Sequence, residues 1–274
     1  MKKYNVAFQG EKGAYGEMAV LQYFPNANLH PLRSFKEVFD TIKDKTNDFA
    51  VVPVENSIEG SVNETYDLLL QEEIKVSAEI FQRINHCLIV NKEHIEPLKK
   101  VYSHPQALAQ CRKYLHDKKI EPIPIYDTAG AVKMIKENKL HDVAAIASKR
   151  ASQIYDMKIL DQGIEDMEKN YTRFFVIALN VSTRPSNNDR TSIIFSLNHV
   201  PGSLFSILKE FSNRQINLTR IESRPTKETP WEYYFYLDFD GHEKDDKISF
   251  VLKKIKAKTK YYKLLGSYKK GKLS

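Results

Sequence analysis

Asn170-Tyr171-Thr172-Arg173 runs straight into Phe174-Phe175-Val176-Ile177-Ala178-Leu179. Six consecutive apolar residues, mostly aromatic or β-branched, read as a buried strand. The residues just ahead of it set a hydroxyl and a guanidinium at the mouth of that strand. In α/β sheets ligands gather at strand ends, where side chains meet a rigid floor. A small anion could be held there and a leaving group assisted. Thr-Arg before a strand also suits a solvated turn, so the rest of the chain must decide.

Working outward, strand and helix alternate through residues 1–180. Tyr4–Gln9 reads as a strand, Gly10–Gly13 as a turn and Ala14–Tyr23 as a helix. Glycine in that turn permits φ > 0 and lets backbone N–H groups approach a ligand. Helix Phe35–Asp44 precedes a buried strand, Phe49–Val54, which ends in Glu55-Asn56-Ser57. A helix starting at Val62 follows. Strands Lys75–Phe81 and His86–Val90 open a second α/β unit. It continues with strand Lys100–Ser103, helix Ala107–Leu115, extended Ile123–Tyr126, helix Ala129–Lys136, strand Val143–Ala147 and helix Lys149–Ile154. Such alternation defines α/β architecture. Polar residues 182–190, with Pro185 and Asn187-Asn188, read as a linker. Beyond them the order is βαββαβ, a ferredoxin-like α+β unit. Its first helix, Gly202–Arg214, sets Leu204, Phe205, Leu208 and Phe211 on one face.

A chain of 274 residues, 42% hydrophobic, suits two domains with separate cores. No run of eighteen apolar residues occurs, so no membrane span is expected. Met1-Lys2-Lys3 is followed by neither a signal-peptide apolar region nor a cleavage site, which implies a cytoplasmic protein. Cys87 and Cys111 lack metal or redox spacing and read as reduced core thiols. The formal charge of +7 invites a nucleic-acid reading. Residues 251–274, however, hold nine lysines and no acid, and taking these nine away turns +7 into −2 for residues 1–250. The basicity belongs to the C-terminal stretch, read as a solvated Lys-rich face, and no nucleic-acid partner is expected.

Polar clusters thus sit at three strand ends: Glu55-Asn56-Ser57, Ser103-His104 and Asn170–Arg173. Two α/β lobes around a cleft make a place for a small anion. No Walker sequence, GxGxxG, GxSxG or metal-ligand cluster is present, so neither cofactor nor metal is expected. Any chemistry rests on hydroxyls, amides, one guanidinium and a carboxylate. That inventory suits a downhill reaction needing positioning and leaving-group help. His104 before Pro105 reads as a turn residue, with a catalytic role as the alternative.

Several blocks now coincide with a known family: Gly10–Glu17, Val52–Val62, Ser103–Cys111, Asp127–Ala131, Asn170–Phe174 and Ile216–Pro225. Across roughly residues 4–268 the chain resembles prephenate dehydratase with a C-terminal ACT regulatory domain. The resemblance implies a bilobal, periplasmic-binding-protein-like type II catalytic region at 1–181. Lobe one would hold about 1–80 plus 160–181, and lobe two about 81–159. A linker at 182–190, an ACT domain at 191–268 and a Lys-rich tail at 269–274 would follow. The implied reaction takes prephenate to phenylpyruvate, water and carbon dioxide. Thr172 would assist departure of the ring hydroxyl, while Asn56, Ser103 and Gln110 orient the diacid and Glu55 supports them. Arg173, Ser57, Gly13 and Ala14 are candidate substrate contacts, and Arg173 could equally hold its loop by a salt bridge. Gly16 stands where the family usually carries Ser or Thr.

In the small domain the resemblance implies an amino-acid effector, L-phenylalanine, held by Gly202, Ser203, Leu204, Asn217, Leu218, Glu222, Ser223 and Arg224, in a homodimer or homotetramer. Ser-Arg-Pro ending a strand is alternatively a plain terminator. Two rival functions remain: arogenate dehydratase on the same scaffold, with Asp127–Val132 in the region that could tune the choice, and a non-catalytic amino-acid sensor.

Overall fold

The computed structural model describes residues 3–95, 97–227 and 229–273. The basic start at Met1-Lys2 and the last residue of the Lys-rich tail, Ser274, lie outside them. Chain contacts divide the protein into two compact units. The first is Met1–Thr65 with Ile80–Phe174 and Lys272–Ser274, and the second is Tyr66–Glu79 with Phe175–Gly271.

The chain begins with β1 (Asn5–Gln9), α1 (Tyr15–Tyr23), β2 (Asn28–Leu32), α2 (Phe35–Lys43), β3 (Phe49–Asn56), β4 (Gly60–Ser61), α3 (Asn63–Gln71) and β5 (Lys75–Arg83). Helix α2 forms because Val38, Phe39 and Ile42 recur at helical spacing and are buried, and because Ser34 caps its start by accepting from the Glu37 N–H. With β11 (Tyr171–Ala178) these strands form a sheet of order β2-β1-β3-β11-β5, with β4 on β3. The apolar run 174–178 is therefore an inner strand. Strand β2 has no counterpart in the sequence reading. It contains Pro31, which breaks a strand pattern, and the structure tolerates it because β2 is the sheet's edge.

The second lobe carries β6 (Cys87–Val90), β7 (Lys100–Ser103), α4 (Pro105–Gln110), α5 (Arg112–Lys118), β8 (Glu121–Pro124), α6 (Thr128–Glu137), β9 (Val143–Ala147), α7 (Lys149–Ile154) and β10 (Lys158–Gln162). Its sheet runs β10-β6-β9-β7-β8. Strand β10 is again an element the sequence reading lacks. It returns antiparallel onto β6 with a register shift between Ile159 and Asp161, so this sheet extends to Gln162 rather than giving way near 160. Strand β5 belongs to the first sheet, so the second opens only at β6. The helix expected over 107–115 is broken at Cys111. There the N–H turns to Leu108 O, and the Gln110 carbonyl accepts from Asp166 N at 2.7 Å instead of continuing a helix. Both cysteines are free and buried.

The second unit continues with β12 (Asp189–Ser196), α8 (Ser203–Ser212), β13 (Leu218–Pro225), β14 (Tyr233–Asp240), α9 (Asp246–Lys258) and β15 (Tyr261–Lys269). The sheet order β13-β14-β12-β15 realises the expected βαββαβ unit. Ile193, Phe195, Ile207, Phe211, Leu237, Phe239, Val251 and Ile255 fill its core. Phe205, expected on the inner face of α8, is 67% exposed; Ile207 takes the buried position. The lysines are not a bare solvated face. Lys258 pairs with Glu210, Lys260 with Glu232 and Lys270 with Asp240. The buried Lys263 donates to the carbonyls of Leu70 and Glu72 at 3.1 and 2.6 Å, satisfying the C-terminal end of α3. Arg190 donates twice to Glu79, and Tyr66 packs edge-on to Tyr236. Gly266 allows β15 to run against Val76, whose carbonyl occupies the space a Cβ would need.

Candidate active site

The ends of β3, β6 and β11 and the end of α4 come together in the first unit around a cleft. The amide of Asn56 sets its chemistry. Its Oδ1 accepts from the backbone N–H groups of Ile58 and Glu59, both at 3.0 Å, and backbone N–H groups cannot reverse polarity. The Asn56 Nδ2 is thereby fixed as donor, to Asn170 Oδ1 at 2.8 Å, Tyr171 O at 3.2 Å and Thr172 Oγ1 at 3.0 Å. Asn170, fully buried, then presents Nδ2 to Gln110 Oε1 at 2.9 Å. The relay leaves two donors at its ends. Thr172 uses its oxygen as acceptor, so its proton is free for the cleft. Gln110 Nε2 is buried and has no hydrogen-bond partner among the described residues.

The wall is completed by the strand residues Gln9, Val51, Pro53 and Phe174, by Ile84 and His86, and by the starts of helices. Ala14, Tyr15 and Gly16 from α1, His104, Gln106 and Ala107 from α4, and Asp127 and Thr128 from α6 line it with Thr172, Asn56 and Gln110. Among the described residues, no lysine or arginine does. Helix α6 is capped by Asp127, which accepts from Gly130 N at 2.6 Å, whereas α1 has no side-chain cap. The first turn of α1 carries the buried Glu17 carboxylate, which accepts from Gly13 N at 2.6 Å and pairs with Arg150, while the N–H groups after Ala14 keep no side-chain cap. Burial pushes the His86 and His104 imidazoles below the usual histidine range and the Asp127 carboxyl above its own. His104 Nδ1 accepts from Gln106 N at 3.2 Å, which puts the imidazole proton on Nε2.

Of the residues singled out in the sequence, Thr172, Asn56, Gln110 and Ala14 line the cleft. Ser103 does not. It is fully buried and donates to Ile146 O at 2.6 Å, tying β7 to β9. Gly13 takes φ +93° behind the cleft wall, where a Cβ would meet Ala151 Cα at 2.7 Å. Ser57 accepts from Tyr171 N at 3.0 Å and fastens β11. Arg173 is buried, with its guanidinium 3.7 Å from the Glu55 carboxylate. Gly16 lies in the lining with no hydroxyl to offer. His86 has no role in the sequence reading, yet its Nε2 lies 3.0 Å from Gln110 Oε1. Like the other polar groups, it is a polar residue at a strand end, just before β6.

A second cavity opens in the second unit between the loop 197–201, the start of α8 and β14. Ser203 and Leu204 line it and Gly202 caps α8 at φ +82°. The other expected effector residues are not among those lining this cavity. Asn217 bonds Asp240, Leu218 packs on the core, Glu222 pairs with Arg220, Ser223 pairs with Phe235 in the sheet register, and Arg224 lies 3.1 Å from Asp67.

A two-lobed α/β cleft of hydroxyl and amide donors, joined in one chain to a ferredoxin-like domain, is the build of a protein that binds a small molecule. The sequence profile described as "Prephenate dehydratase" matches residues 6–182, and that described as "ACT domain" matches 191–256. The chain belongs to the prephenate dehydratase family. It is 41% identical to the prephenate dehydratase of Methanocaldococcus jannaschii, over 94% of this chain and 95% of that one. It is 39% identical to arogenate dehydratase/prephenate dehydratase 2 of Arabidopsis thaliana, over 96% of this chain and 72% of that protein. Among solved structures, prephenate dehydratase from Arthrobacter aurescens in complex with L-Phe superposes with a TM-score of 0.89 at 27% identity, covering 97% of this chain and 89% of that one. GqqA, titled a novel type of quorum quenching acylase, superposes at 0.88 with 28% identity, covering 97% of each. The fold is thus the periplasmic-binding-protein-like type II arrangement with an ACT domain, as expected from the sequence.

Proposed function

We propose that the chain converts prephenate to phenylpyruvate, water and carbon dioxide, and that L-phenylalanine restrains it through the second unit. The observation that carries this is the polarised amide relay, which ends in two donors, Thr172 Oγ1–H and Gln110 Nε2–H, in a cleft without metal-ligand clusters among the described residues.

The reaction needs little more. As the ring carboxylate leaves as carbon dioxide, the electron pair of the breaking C–C bond enters the ring, and the ring hydroxyl departs with its own bonding pair. Aromatisation makes the sum downhill. The cost lies in the departing hydroxide, and a donor aimed at that oxygen stabilises it as the C–O bond lengthens. Thr172 is that donor. Its oxygen already accepts from Asn56, which makes its proton a better donor. The departing hydroxide takes the Thr172 proton and leaves as water, and Thr172 regains a proton from solvent. Gln110 orients the substrate, and the uncapped start of α1, at Ala14 and Gly16, receives a carboxylate. This fits a cleft that holds a dianion without a lysine or arginine in its lining.

Ser103, Ser57, Gly13, Glu55 and Arg173 serve the site as its frame. Arogenate carries an amino group where prephenate has a keto oxygen, and it remains the second substrate to measure, given the dual-named Arabidopsis relative. The residue ranges read from the sequence, the cytoplasm as location, and assembly as a homodimer or homotetramer belong to the same proposal. The test is phenylpyruvate formation from prephenate and from arogenate, with and without L-phenylalanine. Absence of turnover with both substrates, in protein that binds L-phenylalanine, would favour an amino-acid sensor.

A further inference from the structure

We propose that His86 is a positioning residue: its Nε2–H, together with Asn170, holds the Gln110 carboxamide with its N–H group turned into the cleft. The inference rests on the cleft being the substrate site.

A free carboxamide can rotate by half a turn and exchange donor for acceptor at little cost. Gln110 is denied that exchange from two sides. Asn170 presents an N–H to its oxygen at 2.9 Å, with a polarity inherited through Asn56 from the backbone of Ile58 and Glu59. His86 presents Nε2 to the same oxygen at 3.0 Å. Only the tautomer with the proton on Nε2 makes that contact a bond. A flipped Gln110 would set its NH2 against two N–H groups, an arrangement worse by two buried hydrogen bonds.

The imidazole is itself held on every side. The backbone N–H of His86 donates to Glu165 Oε2 at 2.8 Å and its carbonyl accepts from Gly163 N and Ile164 N, which fixes the backbone that carries the ring. Tyr15 meets the ring edge to face at 5.6 Å between centroids, and its hydroxyl lies 3.1 Å from Nδ1 and 2.7 Å from Asn85 O. Burial favours the neutral ring, which carries a single proton; with that proton on Nε2, the bare Nδ1 is served only if the Tyr15 hydroxyl turns its proton from Asn85 O to the ring. His86, just ahead of β6, lines the cavity together with Gln110 and acts on substrate through that carboxamide.

The test is a double-mutant cycle on kcat/KM for prephenate. His86→Ala should lower it about ten- to a hundredfold, the range a small misplacement of a contact group costs. In a Gln110→Ala background the same substitution should change it less than about threefold. His86→Gln, which can place an N–H near the Nε2 position, should recover most of the loss. Equal losses in the two backgrounds, or an unchanged kcat/KM in His86→Ala, would overturn the proposal. Nitrogen-15 spectra of the free wild-type protein give an arm independent of turnover: His86 should show a protonated Nε2 and a bare Nδ1. The reverse tautomer refutes the proposal even if the enzyme is active. The expected tautomer with no activity on prephenate would remove the reading of function and leave the geometry of Gln110 intact.

Discussion

Replacing Thr172 by Val removes one hydroxyl and keeps a β-branched side chain, which suits strand β11. In the folded protein the change is small. Asn56 Nδ2 loses the acceptor at 3.0 Å but keeps Asn170 Oδ1 at 2.8 Å and Tyr171 O at 3.2 Å, so its donors remain satisfied. Stability should therefore fall by no more than about 1 kcal/mol. The transition state loses more. A donor aimed at developing negative charge in a desolvated site is worth about 10²–10³ in kcat, or roughly 3–4 kcal/mol. Substrate affinity should change little, because the hydroxide forms only as the bond breaks. The expected signature is a collapse of kcat with KM within a few-fold of wild type, a nearly unchanged urea midpoint and intact L-phenylalanine binding by calorimetry. A variant retaining kcat within about threefold of wild type would refute the leaving-group role. So would a loss expressed entirely in KM.

Ser103→Ala should behave oppositely. It strands the Ile146 carbonyl in the interior, costing about 1–2 kcal/mol in urea unfolding, while kcat/KM stays within about threefold. A large kinetic loss at unchanged stability would return Ser103 to the substrate. Gly13→Ala should destabilise by about 1–3 kcal/mol, since its Cβ would overlap Ala151 on a backbone at φ +93°; a Tm equal to wild type would contradict this. Leu204→Ala should weaken L-phenylalanine binding roughly tenfold, read by calorimetry, without changing turnover in its absence. The neutral, buried His86 adds a pH dependence. Above pH 6.5 the imidazole is neutral in both folded and unfolded chains and its contribution is constant. Below that value the unfolded chain binds a proton the folded one resists, so stability falls as pH falls. Wild type should accordingly lose more stability than His86→Gln between pH 7.5 and 5.5, and equal losses would exclude the effect.

The sequence was most legible where one local pattern decides one element. The apolar run at 174–178 became an inner strand, and the βαββαβ order became the small domain's sheet. Strand β2 was hidden by Pro31, because only the tertiary sheet reveals that its position is an edge. The break at Cys111 was hidden too, because it depends on Asp166, distant in sequence, claiming the Gln110 carbonyl. In the site, residue types were readable but directions were not. Ser103 and Gln110 are both polar and buried. One hydroxyl turns to a carbonyl of a neighbouring strand, and one amide lines the cleft with its Nε2 buried and unpartnered among the described residues. His86 went unread because its importance lies in what it touches across the lobe.

Residues 66–79 keep company with the second unit, although they lie far upstream of it in sequence. A gene shortened after residue 181 to yield an unregulated catalyst would not make a clean cut. It would remove the ammonium of Lys263 from the last carbonyls of α3, the guanidinium of Arg190 from Glu79, and the ring of Tyr236 from Tyr66. Helix α3 begins seven residues after Asn56. Loss of feedback by truncation should therefore be accompanied by a less stable catalyst, and desensitised enzymes are better sought by substitutions in the loop 197–201 than by deletion.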